Sequence, residues 1–337
     1  NPEAITAISL QGDGRVADRV DRLFAELISR PKWVEDLKSA DALFLSAHSQ
    51  GAIVATQLLA RLIEQRHVRA EHTRICLLAM CGIHHGPFAH LKSSITASYI
   101  NYFETAAAKE LFEFQSSTTA VAQQYTAALK IVLDAGTKCV YIGSTDDNVV
   151  PVYSALNLCN NHPSILRALY IDGQAFPRVD FLTNLLVLCV AVRNAGLSDH
   201  NLLTLLSASV AGSLYGGRGH SQVYEEKAVY DLATRYLFEV THPLAEPTFA
   251  PGPPGATSSS LSTSTNPGKR PSTAESETSK AALVSEAFEA QRWNPYELPW
   301  ALRGLFEDKH VRSLFAEDML NLLESYEQWC DCMKTDK

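Results

Sequence analysis

Several things are scarce in this 337-residue chain, and each absence excludes a class of protein. Positive charge is in deficit: 29 Lys and Arg stand against 37 Asp and Glu, for a net charge of -8, so there is no basic footprint for nucleic acid. Long apolar runs are missing. The most apolar stretches, around 181–192 and 42–47, fall short of the roughly 20 residues that a membrane-spanning helix needs. The seven cysteines form no C-x-x-C pair, and Cys330 and Cys332 flank a single residue. An odd number argues against a fully paired framework, and the spacing argues against a structural zinc site. They read as free thiols of a reducing compartment, which points to the cytoplasm. Neither an initiator Met nor a charged-then-apolar signal segment opens the chain. The expectation is of a processed, trimmed or incomplete product.

What remains is 46% hydrophobic and 20% charged, the composition of a globular protein with a substantial core. Strand and helix patterns alternate over the first 240 residues. Residues 4–10 (AITAISL) form a short β-prone run closed by the turn-forming 11–14, and 16–28 follow at helical spacing. Residues 42–47 (ALFLSA) are too apolar for an edge strand and suit a parallel strand covered on both faces. A helix over 52–64 follows, then strands over 74–80, 138–143 and 167–171. This alternation predicts an α/β fold with a mostly parallel sheet, whose ligand sites lie beyond the carboxyl ends of the strands.

Helical insertions at about 93–133 and 180–214 interrupt the pattern, and read equally as a lid or as ordinary crossover packing. Residues 1–244 thus form the expected core. From 245 to 280 the chain is rich in Pro, Ser and Thr with few large apolar residues. That composition cannot offset its ordering entropy and reads as a disordered linker. Residues 281–337 regain helical periodicity and carry Trp293, Trp300 and Trp329, which could dock onto the main domain or onto a protein partner.

The chemistry centres on Ala47-His48-Ser49-Gln50-Gly51, at a strand-to-helix junction. That is the setting of a nucleophile elbow, with small residues two before and two after the serine. Ser49 would stand above the sheet, and the Gln50 backbone N–H would point into an oxyanion hole. A serine needs a base oriented by an acid. The strand KCVYIG runs into Ser144-Thr145-Asp146-Asp147-Asn148-Val149-Val150-Pro151. Counting forward from Gly143 selects Asp146, and counting back from Val150-Pro151 selects Asp147. We favour Asp146, nearer the strand end, with Asp147 as the alternate. The base is His220, in the glycine-rich segment Tyr215-Gly216-Gly217-Arg218-Gly219-His220. His48 is expected to pack beside Ser49. His84 and His85 suggest a metal pair only weakly, since neighbours in sequence seldom ligate one ion, so no metal is assigned. Asp172 is a reserve acid, and Asp134 and His200 read as helix-end or surface residues.

With those residues in place, the chain resembles the α/β-hydrolase superfamily and, more narrowly, a largely uncharacterised group of fungal α/β-hydrolase-domain proteins. The segments SLQGDGRVADRVDRL, ADALFLSAHSQG, GSTDDNVVPVYSAL, AGSLYGGRGHSQVYEE and NPYELPWALRGLFE carry the resemblance. It implies a serine hydrolase for carboxylic esters, lipid esters among them, working through an acyl-enzyme without a cofactor. It also implies that the strand bearing the oxyanion loop is missing from the N-terminal end, or that Gly12-Asp13-Gly14 supplies the second donor. The rival expectation is a weak or inactive hydrolase-fold protein that binds a lipid or protein partner.

Overall fold

Apolar segments six or seven residues long, each leading into a helix, set the architecture. The computed structural model describes residues 5–92, 106–172, 181–207, 218–240, 281–290 and 295–335. Helices α1 (Val16–Ile28) and α2 (Pro31–Ser39) lead into β1 (Ala42–His48), and α3 (Gln50–Glu64) returns the chain to β2 (Arg74–Met80). Helices α4 (Ala106–Glu113) and α5 (Ala120–Asp134) precede β3 (Lys138–Ser144). A turn of helix, α6 (Val152–Ala155), and a two-residue β4 (Asn160–Asn161) come before β5 (Ile165–Tyr170). Next are α7 (Phe181–Asn194), α8 (Leu202–Ser207), α9 (Gly219–Gln222) and α10 (Lys227–Glu239). The described tail contains β6 (Val284–Ser285), α11 (Leu298–Glu307), α12 (Lys309–Leu314) and α13 (Ala316–Thr335).

The main sheet has the order β1-β2-β3-β5, every pair parallel. Strand periodicity divides its core cleanly. Ile75, Leu77 and Ala79 of β2 join Cys139 and Tyr141 of β3 in a cluster with α1, α3 and α5. Cys76, Leu78 and Met80, with Val140 and Ile142, face the opposite way and pack against Val229, Ala233 and Leu237 of α10. Leu77 and Leu78 are fully buried, and each such side chain contributes about 1.5–3 kcal/mol by leaving water. Both faces are therefore covered at β2 and β3, as a parallel sheet requires.

Two expectations fail at the N-terminal side. Residues 5–10 adopt no regular element, although Ile8 and Leu10 pack against the core. And β1, whose composition suits an interior strand, is the terminal strand: among the described residues it pairs only with β2. Its residues alternate between exposed and half-buried instead of being buried throughout. A groove of about 380 Å³ runs between Thr6, Ile8 and Leu10 on one side and Leu43, Leu45 and Ala47 on the other. Phe44 remains 36% exposed.

The insertions hold helices α4, α5, α7 and α8; their residues 93–105, 180 and 208–214, and the expected linker at 245–280, lie outside the described residues. The tail begins as a strand, which helical periodicity did not anticipate. β6 pairs antiparallel with β4, the Ser117 amide donates to Phe288 O (2.9 Å), and the Ala290 amide donates to Gln115 O (2.8 Å). Ala301, Leu305, Met319 and Leu322 then pack on α7 and α8. Trp300 is 70% exposed, so aliphatic side chains rather than this tryptophan dock the helices.

Candidate active site

Ser49 sits between the last residue of β1 and the first of α3, at φ 56°, ψ −129°. L-residues other than glycine rarely occupy that region, and holding one there costs about 1–3 kcal/mol. The surroundings enforce it: the Ser49 amide donates to Met80 O (3.0 Å) and its carbonyl accepts from the Ala52 amide (3.1 Å). The Gln50 N–H that follows belongs to the first turn of α3, where amides have no partner within the helix. Gly51 departs from the expectation, because a Cβ there would meet nothing within 4 Å. The crowding that demands a small residue is absent beside the groove at β1.

The Gln50 side chain links the Ser49 turn to the turn before α1. Its Oε1 accepts from Arg19 Nη1 (2.8 Å), and its Nε2 donates to Gly14 O (3.1 Å). That turn and residues 48–51 wall the same cavity of about 710 Å³, with Ala106, Ala107 and Leu111 of α4 forming an apolar side.

On the neighbouring rim, His220 Nδ1 meets Asp147 Oδ2 at 2.7 Å. The other carboxylate oxygen of Asp147 accepts from the amides of Val149 (2.7 Å) and Val150 (2.8 Å). The Asp147 side chain is wholly buried, and that of His220 is 15% exposed. Of the two adjacent aspartates, the geometry puts Asp147, the alternate, against the imidazole. The Asp146 backbone carbonyl accepts from the Gly219 amide (3.1 Å). The loop has an extra residue, and the carboxylate that can receive two amides of the Val149-Val150 turn is the one set deeper in it.

Gly219 is a functional residue that the sequence reading missed. A Cβ there would lie 2.2 Å from Ser144 Oγ and 2.9 Å from Asp146 O, so only glycine lets the histidine segment close on the aspartate loop. The run of glycines before His220 was the available signal. His48 also takes on a definite part: its Nε2 reaches His220 O at 2.7 Å, and the two rings lie 4.7 Å apart. Burial, then the neighbouring His220, holds its pKa below the usual histidine value, so the ring is a neutral donor. The residue beside the serine thus anchors the backbone of the base.

Cys81, also unremarked in the sequence, directly follows β2 at φ 45°. Burial, with the Asp147 charge beside it, pushes its thiol pKa well above normal. Cys81 Sγ, an Asp147 oxygen and a His220 ring nitrogen lie within 4.8 Å of one another, and they are the potential ligand cluster among the described residues. His84 and His85 do not join it. His84 is enclosed by Tyr125 and Tyr141, and His85 accepts from the Cys159 amide (3.4 Å). Burial lowers the pKa of both, that of His85 to about 3. His200 bonds Asp308 at the start of α12 (3.3 Å), and Asp134 pairs with Lys130. Asp172 lies just past β5.

With Ser49 on the strained turn between β1 and α3, next to a buried aspartate–histidine pair, the chain carries a serine-hydrolase site on an α/β-hydrolase fold. Residues 3–252 match the family model of the YMC0/YMC35 alpha/beta hydrolase domain, and the chain belongs to that family. No curated protein matches it.

Proposed function

We propose that the chain hydrolyses carboxylic esters, lipid esters among them, with Ser49 as nucleophile, His220 as base and Asp147 as the acid that orients it. Ser49 Oγ attacks the ester carbonyl and passes its proton to His220 Nε2. His220 Nδ1–H stays on Asp147, which keeps the ring in the useful tautomer and stabilises the imidazolium. The Gln50 amide donates to the oxyanion, and the Gly12–Gly14 turn, held by the Gln50 side chain, offers the second donor. The alcohol leaves with the proton from His220, and water then hydrolyses the acyl-enzyme by the same route. The apolar α4 wall suits an aliphatic acyl chain. The free thiols among the described cysteines fit a reducing compartment such as the cytoplasm. No described helix is long and apolar enough to cross a membrane.

One observation carries the reading: the 2.7 Å contact between His220 and Asp147 on the rim next to Ser49. A fluorophosphonate probe is expected to label the wild-type chain covalently and not the Ser49→Ala variant. A folded chain that ignores the probe overturns the proposal. A second reading is a non-catalytic binder, in which Tyr296 (82% exposed) and Trp300 present an aromatic patch to a protein partner. It predicts neither labelling nor ester turnover at any pH.

A further inference from the structure

The thiol of Cys81 belongs to no step of ester hydrolysis, yet it is buried against the acid of the triad. Cys81 Sγ, an Asp147 carboxylate oxygen and a His220 ring nitrogen form a compact triangle, no side longer than 4.8 Å. One sulfur, one imidazole nitrogen and one carboxylate oxygen are the donor types that Zn²⁺ prefers, at about 2.3, 2.0 and 2.0–2.2 Å. A tetrahedral ion holds such atoms roughly 3.3–3.7 Å apart. The 2.7 Å His220–Asp147 separation therefore has to open by less than about 1 Å, and the sides to Cys81 Sγ, at most 4.8 Å, have to close by no more than about 1.5 Å. Asp147 is pinned by the amides of Val149 and Val150, so His220, with part of its ring exposed, is the member that gives.

We propose that Cys81, Asp147 and His220 form an inhibitory site for a thiophilic divalent cation, Zn²⁺ foremost, which switches the hydrolase off. The inference rests on the hydrolase reading for its consequence, though not for the binding itself. The bonds formed run from the metal to Cys81 Sγ, Asp147 Oδ and His220 Nδ1, with solvent in the fourth position. The thiol proton leaves to water. The imidazole proton moves from Nδ1 to Nε2 through solvent, so one proton is released overall. With Nε2 protonated, His220 has no lone pair for the Ser49 hydroxyl, and Asp147 no longer orients it. Hard cations such as Mg²⁺ and Ca²⁺ prefer oxygen ligands and do not displace a thiol proton.

The test uses the full chain with Cys330→Ser and Cys332→Ser, which removes the closely spaced pair at the C-terminal end. Added Co²⁺ is expected to produce a near-ultraviolet thiolate-to-cobalt charge-transfer band that saturates at one equivalent and is displaced by Zn²⁺. Cys81→Ser is expected to weaken binding at least about 100-fold, since even groups outside the ligand sphere are worth 10–100-fold in metal affinity. Cys159→Ser should leave the band intact. Fluorophosphonate labelling of Ser49 should fall on adding Zn²⁺, return with a chelator, and ignore Mg²⁺ and Ca²⁺. No band, or a band that survives in both Cys81→Ser and Cys81→Ala, overturns the site whatever the labelling shows. A band with labelling that Zn²⁺ leaves untouched overturns the inhibition. A chain that shows the band but never labels, with or without metal, refutes the hydrolase reading and the inhibition while the cation site stands.

Discussion

Exchange of one carboxylate oxygen for an amide nitrogen tests the acid directly. In Asp147→Asn the side chain keeps its shape, but the new amide must place either its oxygen or its NH₂ toward His220 Nδ1. If the oxygen turns to the Val149 and Val150 amides, its NH₂ faces His220 and drives the ring into the wrong tautomer, with the proton on Nε2. If it turns the other way, the NH₂ confronts those two backbone donors, and a buried pair that was charge-assisted is lost. The second arrangement costs more, because two buried amides go unsatisfied at about 1–3 kcal/mol each. The first should therefore prevail, with a loss of about 10⁴-fold in kcat, the magnitude that an aspartate-to-asparagine change produces in a Ser-His-Asp site. That corresponds to about 5.4 kcal/mol of transition-state stabilisation. Asp146→Asn, which keeps the backbone carbonyl that accepts from the Gly219 amide and leaves the His220–Asp147 contact in place, should cost less than about tenfold. The assays are second-order labelling by a fluorophosphonate and turnover of a short-chain p-nitrophenyl ester. Folding is checked by circular dichroism. Comparable losses in the two variants, or a greater loss in Asp146→Asn, refute the reasoning.

Other outcomes follow from the same geometry. Ser49→Gly should be more stable to urea than Ser49→Ala by about 1 kcal/mol, because glycine relieves the strained backbone; equal midpoints would deny the strain. Gly219→Ala should lose at least about 1–3 kcal/mol of stability by overpacking, and more in turnover, since the displaced segment carries His220. Stability should also fall on acidification. The folded-state pKa of His85 is depressed to about 3, so between pH 6.5 and 3 the unfolded chain binds a proton that the folded chain does not. At pH 5 this one group costs about 2 kcal/mol relative to pH 7.5. Urea midpoints across that range should show a slope that shrinks in His85→Gln, and an unchanged slope would count against the assignment.

The sequence made the sheet legible because its strands are short apolar runs set between helices whose periodicity is strong. Boundaries of β2, β3 and α3 fall within two residues of expectation. Ser49 and His220 were legible for a related reason: each occupies a junction whose neighbours are constrained in residue type. Asp146 against Asp147 could not be decided by counting, since the choice depends on which carboxylate meets the Val149 and Val150 amides, a matter of loop path. The apolar character of 42–47 suggested an interior strand, whereas lateral position in a sheet is fixed by pairing that composition does not encode. The strand at the start of the tail was hidden because its two residues match β4 only through long-range contact. Cys81 escaped notice because a lone cysteine acquires meaning only from what folds beside it.

The strand that leads into Ser49 lies at the margin of the sheet among the described residues, and this shapes the local energetics of the whole site. Among the described residues, main-chain groups on the outward side of β1 meet no ladder of the kind that clamps β2 and β3 from both flanks. Their amides should exchange with deuterated solvent through small openings, while those of Leu77 and Val140 await global unfolding. The acid–base half of the site is rooted in the most protected strands, and the nucleophile is carried by a less protected one. Mild destabilisation should therefore silence the serine before the Asp147–His220 pair comes apart.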